Sequence, residues 1–109
     1  MEVEMAWVYL FIAGAFEVAW AAGLKKLGIG FNWTLGVLTF FAMIASIVAL
    51  YAAMTRLPLG IAYPIWTGIG SVGSVLVGVF AFSQNLSLSG IAGLTLLIAG
   101  MFLLGSDAH

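Results

Sequence analysis

Four long apolar runs, separated by short polar gaps, dominate the pattern of this chain. Each run is long enough to cross about 30 Å of hydrocarbon as a helix that rises ~1.5 Å per residue. The runs are Met5–Leu24, Trp33–Met54, Gly60–Phe82 and Leu86–Leu104. The gaps between them are short enough for tight connections between antiparallel neighbours. The pattern predicts an all-α membrane protein, a bundle of four transmembrane helices that forms one domain over residues 1–109.

Composition agrees with a membrane location and excludes several classes of function. The chain is 64% hydrophobic and 6% charged, whereas soluble domains carry about 25% charged residues. Its three basic residues are too few for the clustered basic surface that nucleic acids require. The sequence contains no cysteine, which excludes thiolate metal sites and cysteine nucleophiles. Because the sequence also shows no nucleophile–base pair and no metal cluster, we expect neither an enzyme nor a protein with a metal or cofactor.

The distribution of charge at the ends of the runs bears on topology. Glu2 and Glu4 precede the first run, and since a secretory signal begins with a basic region, we expect this run to be retained as a helix. Lys25 and Lys26 lie in the first predicted connection and Arg56 in the second, which slightly favours both termini outside. No internal duplication is present, so an inverted repeat requires a second chain.

Glu17 is the one charged residue inside a predicted membrane run. A charge at the centre of a membrane costs about 2.5 to 3.5 kcal/mol, and such residues usually face a cavity and serve function. A structural ion pair is disfavoured because the other runs contain no Lys, Arg or His. Desolvation disfavours the charged form of a carboxyl, so we expect a proton and an arriving cation to compete for Glu17. This competition is the basis of proton-coupled cation exchange.

Small and aromatic residues are predicted to accompany this carboxylate. Gly14 and Trp20 lie three positions on either side of Glu17 and share its helix face. In the third run Tyr63 and Trp66 form an aromatic stripe. Aromatic rings with polar tips can hold a cation or donate hydrogen bonds to a carboxylate, but they also serve as bundle packing. Both interpretations stay open from spacing alone.

Two further features are weaker signals. Ser46, in the middle of the second run, has two predicted roles, a hydrogen bond to the carbonyl of Ala42 or one donated to a carboxylate. Gly70 continues the stripe of the third run as a smooth patch. Gly93 and Gly100 are spaced as a helix association face, although packing within one chain is the alternative.

Two sequence motifs resemble the small multidrug resistance family. They are GAFEVAWA at positions 14–21, followed by Leu24 and Lys25, and LPLGIAYPIWTGIG at positions 57–70. The resemblance extends over nearly the whole chain, because its length, four predicted helices and single intramembrane glutamate also match. Trp20 and the Trp-Thr-Gly run at 66–68 resemble the guanidinium-exporter branch rather than the branch for polyaromatic cations.

The resemblance implies an antiparallel, dual-topology dimer in the cell inner membrane, with a central site open alternately to each side. Glu17 of both subunits would bind proton and substrate, and Gly93 and Gly100 match a dimer motif of the fourth helix. The positions implied to line the pocket or orient the carboxylate are Gly14, Trp20, Ser46, Tyr63 and Trp66. Pro64 departs from the family pattern, and its missing N–H is expected to unwind the helix locally.

The leading hypothesis is a multi-pass antiporter that exports guanidinium and small guanidinyl compounds in exchange for protons. One alternative is an exporter of quaternary ammonium or other hydrophobic cations, and a second is a non-transporting membrane assembly subunit. An assembly role gives no reason to keep an unpaired carboxyl in lipid. The expected partner is a second copy of the chain, with a related unlike subunit as the alternative.

Overall fold

The computed structural model describes residues 2–107, which form four α-helices. The helices are α1 (Val3–Ile29), α2 (Trp33–Met54), α3 (Leu59–Ala81) and α4 (Leu88–Ser106). Each is apolar and long enough to span a membrane, with a mean hydropathy between 1.5 and 2.3 over its apolar window. The predicted all-α, four-helix membrane fold is therefore confirmed. Residues 1, 108 and 109 of the predicted domain lie outside the described residues.

Helix α1 is longer than predicted at both ends. Lys25 and Lys26 were expected in the first connection, but they lie within the last turns of the helix. Hydropathy locates the apolar span only, while lysine stems follow the helix to the interface and place their ammonium groups in water. Positive charges near the C-terminus of a helix also interact favourably with the helix dipole. The helix ends at Ile29, and the residue after it, Gly30, has an extended backbone and donates its N–H to the Lys26 carbonyl at 3.1 Å.

Helix α3 is continuous through Pro64, so the predicted local unwinding is wrong. Pro58 precedes the helix with an extended backbone, and the helix begins at Leu59 rather than Gly60. Pro64 is therefore close to the N-terminus, and its missing N–H removes a single bond to the carbonyl of Gly60. The remaining bonds of the helix hold it together at this position.

The connection from α3 to α4 is longer than predicted. Helix α4 begins at Leu88 instead of residue 86, because the Ser87 hydroxyl caps it by accepting from the Gly90 N–H at 3.3 Å. Before this cap, the backbone N–H of Gln84 donates to the carbonyl of Gly78 at 2.9 Å. This bond folds the connection back on the end of α3.

The buried core of the described chain comes from the first three helices and the connection before α3. Helix α1 packs against α2 and α3, and α4 packs against α3. The buried apolar residues are Ala6, Leu10, Ala13, Ala49, Leu50, Ala53, Leu57, Ile61, Ala62, Ile65 and Trp66. Within residues 2–107, α4 contributes no buried residue. It is thus a peripheral helix that is attached to one side of a three-helix core.

Glycines allow α1 and α3 to approach each other closely. A Cβ added at Gly14 would overlap the side chain of Ile69, and one added at Gly73 would overlap Val18. These two contacts lie on either side of Glu17 along α1. The close approach of the two helices therefore places the carboxylate directly at their interface.

Candidate functional site

The Glu17 carboxylate lies against the backbone of Gly70 on α3. A side chain at position 70 would occupy the space of the Glu17 Oε1 atom. This oxygen is buried and has no hydrogen-bond partner within residues 2–107. A buried polar atom without a partner is costly, and a carboxylate more so. The position favours any species that neutralises this oxygen, whether a proton or a cation.

Glu17 lines a groove of about 270 Å³ between α1 and α3. The lining residues are Glu17, Trp20 and Ala21 of α1 and Thr67, Gly70, Ser71 and Ser74 of α3. The Trp20 Nε1 atom is also buried without a partner among the described residues. Glu17 and Trp20 thus face the same groove, as their spacing predicts, and the groove holds an unpaired acceptor and an unpaired donor.

Trp66 and Ser46 form a buried hydrogen-bond chain outside this groove. The Trp66 Nε1–H donates to Ser46 Oγ at 3.0 Å, and Ser46 Oγ donates to the backbone carbonyl of Ala13 at 2.6 Å. Ser46 therefore bonds neither to Ala42 nor to a carboxylate, the two roles predicted for it. These two hydrogen bonds connect α3, α2 and α1, and the last acceptor, Ala13, lies one helical turn before Glu17.

Tyr63 and Gly14 also lie away from the groove in the single chain. The Tyr63 ring packs against Trp66, with ring centroids 5.3 Å apart. It lines a separate groove between α3 and α4. Gly14 is buried against Ile69 and serves the contact of α1 with α3. Of the residues predicted to surround Glu17, the structure places only Trp20 beside it.

Gly93 and Gly100 lie on α4, where a Cβ at either position would meet no atom within 4 Å. Their face of the helix is open in the single chain. The role of these glycines in a dimer stays a prediction.

Apart from Gly70, which belonged to the predicted stripe, the α3 side of the groove was not predicted. Thr67, Gly70, Ser71 and Ser74 recur at helical spacing and share one face. All four are small or hydroxyl-bearing, and this run of polar positions in an apolar helix was the available signal. The contact of Gly70, rather than of an aromatic ring, with the carboxylate was not predicted.

Four membrane-spanning helices with a carboxylate at the contact between two of them are typical of a small multi-pass membrane protein in which an ionisable group serves function. The sequence profile of the Small Multidrug Resistance protein family matches residues 5–97. The chain belongs to this family, and it is a multi-pass protein of the cell inner membrane.

Curated relatives cover nearly all of the chain. It is 46% identical over 97 residues to a guanidinium exporter of Yersinia pseudotuberculosis, and the aligned region covers 89% of this chain and 93% of the relative. It is 41% identical over 105 residues to a guanidinium exporter of Salmonella typhimurium, and the aligned region covers 96% of this chain and all of the relative. A guanidinium exporter of Citrobacter freundii has the same identity and coverage.

Proposed function

We propose that this protein is a proton-coupled antiporter that exports guanidinium and small guanidinyl compounds. The observation that carries the proposal is the buried Glu17 Oε1 atom, which has no partner within the described chain and lies in a groove lined by small and polar residues. The names of the relatives support guanidinium as the cation. Their high coverage makes a shared substrate class the simplest inference.

Competition for one carboxylate accounts for the coupling. When the groove is empty of cation, a proton on Glu17 removes the cost of a buried charge. An arriving guanidinium stabilises the ionised carboxylate through paired N–H···O bonds along its planar edge. Guanidinium is also weakly hydrated, which lowers the cost of its entry. Proton and substrate therefore exclude each other, and each leaves when the other arrives.

The working unit that we propose is an antiparallel homodimer in which two copies of Glu17 form one site. A single chain without an internal repeat cannot present equivalent pathways to both membrane faces. Helix α4 offers the surface for a second copy, because it buries no residue within the described chain and Gly93 and Gly100 lie open on it. Small residues on a membrane helix allow close approach of another helix. Pairing with a related unlike subunit is the competing arrangement.

The test is guanidinium-driven proton movement in liposomes that contain the purified protein. An outward guanidinium gradient is expected to drive protons inward, and Glu17→Gln is expected to abolish this flux while the protein stays folded, because an amide is cheaper to bury. Glu4→Gln is the matched control, since Glu4 is an exposed residue in the first turn of the same helix. Proton flux that is indifferent to guanidinium would overturn the proposal, and flux driven instead by quaternary ammonium would assign the other cation class.

A further inference from the structure

We propose that Ser71 is a specificity-determining residue whose hydroxyl oxygen accepts a hydrogen bond from an N–H group of the guanidinium held at Glu17. The inference deepens the function proposed above and rests on it. It assigns the selection of N–H-bearing cations to a neutral acceptor on α3, beside the carboxylate that supplies the charge.

The position of Ser71 follows from the contact between α1 and α3. The residue comes directly after Gly70, against whose backbone the Glu17 carboxylate lies. Ser71 and Glu17 line the same groove of about 270 Å³. A planar cation bound to the carboxylate in this groove therefore has α3 as its opposite wall.

The hydrogen bonds of α3 determine which polar group this wall presents. Ser71 Oγ donates its proton to the Thr67 carbonyl at 2.8 Å, and Thr67 Oγ1 donates to the Tyr63 carbonyl at 2.9 Å. A hydroxyl has one proton and two lone pairs. Because the backbone takes the proton, as is common for Ser and Thr within helices, the Ser71 oxygen has only lone pairs left to offer a ligand. It is a fixed acceptor.

An acceptor at this point fits the chemistry of guanidinium. The cation has N–H donors on all of its edges and no acceptor, so pairing one edge with Glu17 leaves further donors without partners. Donors that are left unpaired inside the groove are costly. Trp20 cannot satisfy them, because its indole N–H is itself a donor. The Ser71 oxygen can accept a hydrogen bond from one of these donors. It makes no such bond with a quaternary ammonium ion, which has no N–H group.

The experiment measures guanidinium affinity by calorimetry for the wild type, Ser71→Ala, Ser71→Thr and Thr95→Val. Loss of one acceptor for a charged donor is expected to weaken binding in Ser71→Ala by about tenfold. Ser71→Thr keeps the hydroxyl and is expected to bind within about twofold of the wild type. Thr95 is the matched control, because it makes the same type of bond, to Ile91 at 2.9 Å, on the peripheral helix α4. Its replacement is expected to leave affinity unchanged.

A second measurement separates an acceptor role from a structural one. Protonation of Glu17 needs no N–H donor, so its titration, followed by tryptophan fluorescence, is expected to coincide in Ser71→Ala and the wild type. Should Ser71→Ala fail to assemble, Ser71→Val and Ser71→Thr give the same comparison with matched shape. Equal guanidinium affinity with and without the hydroxyl would overturn the inference, as would a loss shared by Ser71→Thr or Thr95→Val, or a shifted titration. A wild type that binds no guanidinium would instead refute the proposed function.

Discussion

At the scale of single residues, the contact between Glu17 and Gly70 sets the geometry of the site. The carboxylate occupies the volume that a side chain at position 70 would need. In contrast, Gly28 lies in the same helix as Glu17, but a Cβ there would meet no atom within 4 Å. Comparing an alanine substitution at Gly70 with one at Gly28 therefore distinguishes the effect of a methyl group on the site from its effect on a helix.

Gly70→Ala is expected to abolish guanidinium-coupled proton flux, because the new methyl group displaces the carboxylate from the groove. Folding is expected to persist, since alanine favours a helix by about 1 kcal/mol over glycine. Flux in liposomes and elution in size-exclusion chromatography measure the two properties. Gly28→Ala is the control and is expected to transport normally. Full coupled transport by Gly70→Ala would show that the carboxylate does not work from this position.

How far the sequence predicted the site depends on what each residue needs from its neighbours. Glu17 was predictable because an intramembrane charge is conspicuous without any tertiary information. Trp20 followed from the period of its own helix. The contact with Gly70 and the bond from Ser46 to Ala13 depend on how α2 and α3 are rotated about their axes. Helix α2 is apolar on nearly all sides and carries little signal for that rotation, whereas in α3 the small and hydroxyl-bearing face was the one available signal.

At the scale of helices, the bonds from Trp66 to Ser46 and from Ser46 to Ala13 join three elements through one hydroxyl. All three residues are in the buried core, where a lost partner is not replaced by water. The two hydrogen bonds therefore fix α1 against α2 and α3, and neither of them involves the Glu17 carboxylate.

Ser46→Ala is expected to lower the free energy of unfolding by about 1 to 3 kcal/mol, because it leaves the Trp66 indole N–H buried and unpaired. Trp66→Phe removes that donor. The double variant is expected to lose less than the sum of the two single variants, since neither partner is then left alone. Unfolding in detergent with increasing denaturant measures all four proteins. Strict additivity would mean that the hydrogen bond contributes nothing to the stability of the helix contact.

The ends of the helices show the limit of hydropathy at this scale. Helix α2 begins at Trp33 and ends at Met54, as its apolar run predicted. The apolar runs missed the extension of α1 to Ile29 and the start of α4 at Leu88. Those ends are set by lysine side chains that reach the interface and by the hydroxyl cap at Ser87, which are local polar interactions rather than apolar ones.

For the whole molecule, the proposed exchange predicts how guanidinium affinity depends on pH. Protons occupy Glu17 at acid pH and must be displaced before the cation binds. The apparent affinity is therefore expected to rise with pH, by up to about tenfold per pH unit for one displaced proton, and to level off once the carboxylate is ionised. Calorimetry across the pH range measures this, with sodium chloride in place of guanidinium chloride as the control. Affinity that stays flat from acid to alkaline pH would contradict direct competition.

The proposed antiparallel dimer makes a prediction about labelling. Because the chain contains no cysteine, the single thiol of Glu2→Cys reports the location of the N-terminus. In intact cells, impermeant reagents are expected to label about half of the copies from outside, and permeabilisation is expected to expose the rest, since the loop charges favour neither orientation strongly. Labelling from one side only, with transport rescued by a related chain, would establish an unlike pair instead.

The peripheral position of α4 has a consequence for how this protein can diverge. On the side that faces α3, Met101 contacts Gly68 and Gly105 lies near Ile65, but α4 has no buried residue within the described chain, so the rest of its surface is less constrained by packing. Apolar substitutions on that outer surface are expected to leave the three-helix core and the Glu17 groove intact, since α4 lines neither. After gene duplication, two copies can therefore acquire different α4 surfaces and become selective for each other. The chemistry at the carboxylate would be inherited unchanged while the choice of partner evolves separately.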